Sequence, residues 1–357
     1  MRTAIIGLPL TGKTSLFTIL TGSHEAARVG TLEARQGVAR VPDARLEALA
    51  KLFQPPKVTP ATMEYLDFPA VSREALRNAA YVASLRMVDA FAQVLRLFED
   101  DSVPHEKGSL DPRRDLEDLE TELILSDLMV VEKRLEKLEK ERKKIKSQEL
   151  DREAALLERC RQTLEAHTPL RAVTFSAEEE KRTRGFQFLS QKPMLYVLNL
   201  GEADAPRLHQ IERGWREGAL VGRPGTEVTA VCGRIEAELA ELSPEEARDY
   251  MQSYGLPESG LHRLIAAGYA LLGLISFLTA GETEVHAWTI PAVSTALQAA
   301  GAIHTDFEKK FIRAEVVPWQ VLVDHGGYAG AREKGLLRLE GREYIVQDGD
   351  VLVIRHG

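Results

Sequence analysis

Gly7-Leu8-Pro9-Leu10-Thr11-Gly12-Lys13-Thr14 decides how the rest of the chain is read. The stretch fits G-x-x-x-x-G-K-[ST], a pattern that carries meaning only when a strand precedes it and a helix follows it. Both flanks qualify. Arg2 to Ile6 is a compact apolar run, and Ser15 to Leu20 has helical character. Glycines let such a loop curl until successive backbone N–H groups point inward at phosphate oxygens. Lys13 is placed to neutralise the β- and γ-phosphates, the Thr14 hydroxyl to hold Mg²⁺, and the helix start to favour an anion.

Further along, Thr62 to Phe68 (TMEYLDF) alternates as a strand does and ends near Asp67. A carboxylate there contacts Mg²⁺ through water in phosphate-loop proteins. Ala75 to Met87 reads as helix and Ala90 to Phe98 as a second apolar run. Pro193 to Leu200 and Glu227 to Cys232 read as further strands. Strands alternating with helices predict an α/β fold with a parallel sheet. After Pro112 the pattern changes. Leu119, Leu123, Leu128, Val131, Leu135, Leu138 and Ile145 fall on a narrow seam between charges of both signs. That spacing predicts a long helix in a coiled-coil hairpin, with a return helix from Asp151 to about His167. The Lys and Arg residues of 133–146 are its candidate contact with an anionic surface. Leu261 to Phe277 reads as one helical run. Glu284 to Ile290, Glu343 to Val346 and Val351 to Ile354 read as short strands of a β-rich module.

The chain has 357 residues, 44% hydrophobic and 28% charged, which suits two or three folded domains. A net charge of −8 gives no general attraction to nucleic acid, so any RNA contact needs a local patch. The two cysteines, Cys160 and Cys232, have no metal-ligand spacing and are expected to be half-buried free thiols. No apolar run reaches membrane-spanning length, so a cytoplasmic protein is expected, with a monomer as the default.

Asn199-Leu200-Gly201-Glu202 follows an apolar strand, where a GTPase carries N-K-x-D. Leu200 replaces the Lys and Glu202 the Asp, which argues against strict guanine selection. Asn199 could instead pair with adenine through its amide.

In order, GLPLTGKTSLF, MEYLDFPA, FEDDSVPHEKGSLDP, ELILSDLMVVEKRLEKLEK, NLGE, VCGRIEAELAEL, LGLISFLTAGETEVHAWTIP and AAGAIHTDFEKKFIRAEVV resemble the YchF branch of the Obg-type NTPases. The resemblance covers essentially the whole chain. It implies a P-loop NTPase G-domain (1–112 and 190–280), an α-helical coiled-coil insertion (113–189) and a C-terminal β-grasp-like TGS domain (281–357). It also implies slow hydrolysis of ATP, often in preference to GTP, and association with ribosomes. By resemblance, nucleotide contacts fall on Gly7, Leu8, Pro9, Leu10, Thr11, Gly12, Lys13, Thr14 and Ser15. Base contacts fall on Asn199 and Glu202, with Val231, Cys232 and Gly233 as backbone contributors. Mg²⁺ contacts fall on Thr14, Thr31 and Asp67. The family's loop histidine, proposed to assist hydrolysis, maps onto His105, for which a solvated loop histidine is the alternative.

The departures from the family lie around the γ-phosphate. Leu10 stands where Asn is usual, and Asp67-Phe68-Pro69-Ala70 stands for D-x-A-G. The following glycine-rich stretch is shortened to VSREALRNAAYVASL, with Val71 keeping the hydrophobic residue of this branch. These changes predict that binding survives better than switching. They leave open a binding module that acts through its TGS and coiled-coil parts on RNA or ribosome. A small-molecule kinase is disfavoured by the insertion and the tail.

Overall fold

The computed structural model describes residues 1–23, 32–105 and 107–357. Its strands are β1 (Arg2–Ile6), β2 (Arg35–Arg40), β3 (Lys57–Thr59), β4 (Thr62–Asp67), β5 (Ala90–Arg96), β6 (Met194–Asn199) and β7 (Thr226–Val231). They are followed by β8 (Leu274–Ala280), β9 (Glu284–Pro291), β10 (Phe311–Pro318), β11 (Arg338–Glu340) and β12 (Asp350–His356). The chain divides into two compact units, one of residues 1–38 and 64–267, the other of 39–63 and 268–357. No helix among the described residues is long and apolar enough to cross a membrane.

The first unit is built on a six-stranded sheet ordered β2-β4-β1-β5-β6-β7. The pairs β4–β1, β1–β5, β5–β6 and β6–β7 are all parallel. Strands β5 and β6 are buried along their whole length, as continuous apolar runs covered on both faces should be. The order reverses direction at β1, flanked by β4 and β5. In open parallel sheets the loops leaving the carboxyl ends of strands at such a point form the ligand crevice.

The helix Pro112–Lys144 opens with Pro at its first turn and with Asp111 accepting from Arg114 N. It ends on Arg142, Lys143 and Lys144, which suit the negative end of the helix dipole. Helix Gln148–Glu165 returns along it. Ile124, Val131 and Leu138, seven residues apart, are buried in one cluster with Leu157, Cys160 and Leu164, the spacing of a coiled-coil seam. Much of the basic stretch is already paired within the arm: Arg134 with Glu153 at 2.7 Å, Arg142 with Asp151 at 2.6 Å and Lys143 with Glu139 at 2.6 Å. Asp127 is fully buried and accepts from the backbone N–H groups of Leu189 and Ser190, which ties the long helix to the segment leading into β6.

The second unit has a six-stranded sheet ordered β11-β10-β12-β8-β9-β3. Residues 39–63 join it because β3 pairs with β9 in parallel and Leu46 and Leu49 enter its core beside Leu278, Val285 and Val351. A second cluster packs Phe277, Ile290, Phe311, Val316 and Leu352 with Ala296, Ala299 and Ala300.

Some expectations are corrected. The run Leu261 to Phe277 is not one helix: the helix Gly260–Leu271 ends before Gly273, at φ +58°, and Leu274–Ala280 is β8. The apolar run is continuous across the change, but its second half pairs with β9 and β12. Glu343 to Val346 is not a strand, and Ile345 makes an isolated bridge to Thr295. Ala75 to Met87 is two helices, broken where the Asn78 side chain accepts from Ala80 N and Tyr81 N. Cys160 and Cys232 are free but fully buried, not half-buried.

Candidate functional site

Strand β1 delivers the chain from a buried row, Ala4, Ile5 and Ile6, straight into the loop. Gly7 has φ +146°, and a Cβ there would lie 2.7 Å from the Val94 carbonyl oxygen. Gly12 has φ +92°, and a Cβ there would lie 2.4 Å from Asn199 Nδ2. No other residue fits either place without strain. Leu10 is also left-handed, at φ +60°, and is exposed. Inside the curl the Thr11 hydroxyl donates to the Leu8 carbonyl at 3.1 Å and Lys13 Nζ to the same oxygen at 2.5 Å. Lys13 and Thr11 are buried, while Pro9, Thr14 and Ser15 are exposed.

Helix Lys13–Thr21 starts at Gly12 with no side-chain cap and no acidic residue in its first turn. Its first N–H groups therefore carry the positive end of the helix dipole without an acidic side chain of their own turn to cap them. That is the construction of a phosphate site.

Asp67, at the end of β4, is buried beside this helix start. Its Oδ2 accepts from the Thr14 hydroxyl at 2.9 Å and forms an ion pair with Arg35. The Arg35 guanidinium also lies 5.0 Å from the centre of the Phe17 ring. Asp67 Oδ1 is buried with no hydrogen-bond partner among the described residues. A buried carboxylate oxygen left over beside a hydroxyl is the donor set that suits Mg²⁺, which takes one or two protein oxygens and completes its shell with phosphate and water. Among the described residues no cluster of three acidic, His or Cys side chains competes with that arrangement. Thr31, the other expected metal contact, lies outside the described residues.

Asn199 is brought to the loop. Its Nδ2 donates to the Thr11 carbonyl at 3.0 Å and its Oδ1 accepts from Gly233 N at 3.0 Å. The side chain thus fastens the phosphate loop to the turn after β7, and half of its hydrogen-bonding capacity is engaged there. Glu202 pairs with Arg234 Nε at 2.7 Å, and the Arg234 side chain is 78% exposed. Val231 and Cys232 are buried, and their carbonyls already accept from Leu200 N and Glu236 N. Burial also pushes the Cys232 thiol above its ordinary pKa, so it is no nucleophile.

His105 is placed differently. Its Nε2 lies 2.9 Å from Asp115 Oδ2 and its Nδ1 accepts from Lys107 N at 3.2 Å. The side chain is 9% exposed, so it is not the solvated loop histidine. Among the described residues it makes no hydrogen bond or ion pair with residues 7–15.

The segment after Asp67 is anchored. Phe68, Val71, Ala75 and Leu76 are buried in the main core. The Tyr81 hydroxyl donates to the Pro69 carbonyl at 2.9 Å, and its ring packs edge-on against Phe68. Arg35 and Arg234 are the two site residues that sequence reasoning missed. Both are arginines whose carboxylate partners lie 32 residues apart in the chain, too far for a local motif to reveal.

Residues 274–357 match the family YchF-GTPase_C, described as a protein of unknown function (DUF933). The chain is 40% identical to the ribosome-binding ATPase YchF of Escherichia coli O157:H7 over 363 residues, covering 98% of each chain. It is 39% identical to the ribosome-binding ATPase YchF of Bacillus subtilis strain 168, covering 99% of each. The solved structure of the Schizosaccharomyces pombe YchF GTPase superposes with a TM-score of 0.83 at 31% identity, covering 99% of this chain and 97% of that one.

Proposed function

The chain belongs to the YchF family, and from that premise we propose that it binds Mg–ATP, hydrolyses it slowly and does so in association with the cytoplasmic ribosome. One observation carries the proposal: the left-handed curl from Gly7 to Gly12 leads into an uncapped helix start, with Lys13 inside the curl and Thr14 hydrogen-bonded to Asp67.

Backbone N–H groups of the loop and the Lys13 ammonium bind and orient the β- and γ-phosphates. Lys13 exchanges its bond to the Leu8 carbonyl for phosphate oxygens. Thr14 and the unpartnered Oδ1 of Asp67 would hold Mg²⁺, which when bound neutralises charge between those phosphates. Among the described residues no strong general base faces the loop, so positioning and electrostatics do most of the work. His105 can assist only after exchanging its contacts with Asp115 and Lys107 N for a water.

At the base end, Glu202 already receives the Arg234 guanidinium, and Leu200 is buried where a GTPase Lys would cover the base. Both features weaken guanine recognition, and ATP is expected to bind at least as tightly as GTP. Calorimetry favouring GTP by more than about tenfold, or ~1.4 kcal/mol, would refute this preference.

A second reading is a nucleotide-binding module with impaired hydrolysis, favoured by the burial of Phe68, Val71, Ala75 and Leu76. Single-turnover phosphate release compared with Lys13→Ala separates the two. Wild-type release well above the variant supports the ATPase, and equal background release in both leaves only the binding module. The variant should lose at least about 100-fold in ATP affinity, because charge-assisted contacts in a buried site are worth about 1.5–3 kcal/mol each. Co-sedimentation with ribosomes that persists unchanged at high salt would count against RNA contacts.

A further inference from the structure

Helix Gly233–Leu239 carries Arg234 in its first turn, one residue beyond the backbone N–H that Asn199 Oδ1 accepts at 3.0 Å. The same Asn199 amide is bonded to the Thr11 carbonyl, so the Arg234 backbone is fixed with respect to the phosphate loop. Its side chain meets Glu202 with Nε at 2.7 Å, and Glu238 lies further off at 3.9 Å. Both contacts are ion pairs, and among the described residues no Arg234 N–H donates a hydrogen bond. A guanidinium has five N–H donors in a planar fork. Here charge holds the fork beside the expected base reader while its donors stay uncommitted, in a side chain that is 78% exposed.

The neighbouring charges single this arginine out. Among the described residues Arg234 is the one ion-pair partner of Glu202. Leu200 is buried and brings no charge. Arg96, at the end of β5, is buried, lies 4.5 Å from the centre of the Phe98 ring and donates to the carbonyls of Phe98 and Asp100. Hydrogen bonds from Ser102 hold the Asp100 carboxyl below its usual range, with the charges of Arg96 and Arg234 adding to the effect, so the base end keeps its carboxylates ionised.

The two purines differ at the edge that such a carboxylate reads. Guanine presents N1–H beside an N2 amine, two donors that a lone carboxylate accepts. Adenine presents a lone pair at N1 beside its N6 amine, and a lone carboxylate repels that lone pair. A carboxylate that carries a guanidinium offers a donor and an acceptor side by side. That combination serves N1 and N6 of adenine, and it leaves one of the guanine donors facing a cation, which discriminates by repulsion as well as by attraction.

We infer that Arg234 sets the base preference of the site: paired with Glu202 it admits adenine, and in its absence Glu202 becomes a guanine reader. The inference rests on the nucleotide-binding reading above and deepens it by assigning the preference to one exposed side chain.

The test is calorimetry on the full chain with Mg²⁺ and ATP, GTP or inosine triphosphate, whose base is guanine without the N2 amine. Tripolyphosphate serves as the base-free probe. Arg234→Ala should weaken ATP and tighten GTP, moving the ratio of their affinities by at least about tenfold, or ~1.4 kcal/mol. In that variant GTP should bind about threefold or more tighter than inosine triphosphate, because the released Glu202 accepts from the N2 amine. Adding Glu202→Gln should abolish the gain. Tripolyphosphate should bind wild type and Arg234→Ala within about twofold, since an exposed charge at the base end is screened from the phosphates. The Arg234→Ala chain should unfold within about 2 °C of wild type, because an exposed ion pair contributes little to stability. An unchanged ratio, equal losses for ATP, GTP and tripolyphosphate, or a GTP gain that survives Glu202→Gln would overturn the inference. Wild type that binds none of the three nucleotides defeats the nucleotide-binding reading itself. Wild type that binds ATP, with a variant that keeps the same ratio, defeats the role of Arg234 alone.

Discussion

The loop Gly7–Thr14 and the segment Phe68–Met87 flank the same place where a γ-phosphate would sit, yet they are built in opposite ways. The first gathers polar groups at the loop: an uncapped helix start, a lysine bonded to a loop carbonyl, and a neighbouring carboxylate oxygen without a hydrogen-bond partner among the described residues. The second is held down by six buried side chains and by a hydroxyl-to-carbonyl bond from Tyr81 to Pro69. Segments that rearrange with their ligand are drawn from the weakly packed parts of a fold. The difference teaches that gripping a triphosphate and reporting on it are separable properties, and that this chain has invested its structure in the first.

The contrast is broken most severely by Gly12→Ala. The substitution places a Cβ in a left-handed residue, at about 1–2 kcal/mol, and drives it into the Asn199 amide, which must then give up its bonds to Thr11 and Gly233 at about 1 kcal/mol each. ATP affinity should fall about 100-fold by calorimetry. If affinity is retained, the curl is not what holds the phosphates.

Arg35→Gln comes next. It leaves the buried Asp67 carboxylate with the Thr14 hydroxyl as its remaining hydrogen-bond donor, an arrangement that costs about 3 kcal/mol when one partner of a buried pair is removed. Without metal the variant should unfold at lower temperature. With Mg–ATP much of the loss should be recovered, and half-saturation by Mg²⁺ should fall about tenfold. A stability loss that Mg–ATP does nothing to restore would show that Asp67 is not a metal contact.

Much of this site was legible in the chain because its signals are local. Gly7 to Thr14 is eight consecutive residues, and Asp67 announces itself by closing an alternating strand. The long arm was legible because Leu128, Val131, Leu135 and Leu138 fall three or four apart on one seam between charged residues, although Ile124, which shares the buried cluster, was not read with them. What escaped depends on distant partners. Nothing near Arg35 or Arg234 says that Asp67 and Glu202 will meet them. In LLGLISFLTA the single stop signal is Gly273, and it was passed over because both halves are apolar and tertiary pairing makes the second a strand. Residues 39–63 gave no sign of joining the second unit, since β3 is three residues long and acquires meaning only beside β9. His105 was legible as a candidate, but its engagement with Asp115, ten residues on, was not.

A smaller perturbation sharpens the comparison from the other side. Tyr81→Phe removes the hydroxyl that donates to the Pro69 carbonyl while keeping the ring against Phe68. The cost should be about 1 kcal/mol, concentrated in residues 68–78 and visible as several-fold faster hydrogen exchange there. Faster phosphate release in single turnover would mean that anchoring limits the chemistry. An unchanged rate would place the limit in the residues themselves, above all the missing glycine after Asp67.

The smallest effect belongs to Leu10→Asn, within the loop itself. Leu10 holds φ +60° with its side chain 54% exposed, so it occupies a left-handed conformation without core burial to compensate. Asn enters that region at lower cost, because its short amide can bond to nearby backbone. The exchange should therefore stabilise the first unit by a few tenths to about 1 kcal/mol, raising its unfolding temperature by about 1–4 °C. ATP affinity should change by less than about threefold, because the phosphates are held by backbone N–H groups and Lys13. A lower unfolding temperature would mean that the Leu10 side chain packs against something that relieves its strain. In that case the loop would share with Phe68–Met87 the property that now separates them.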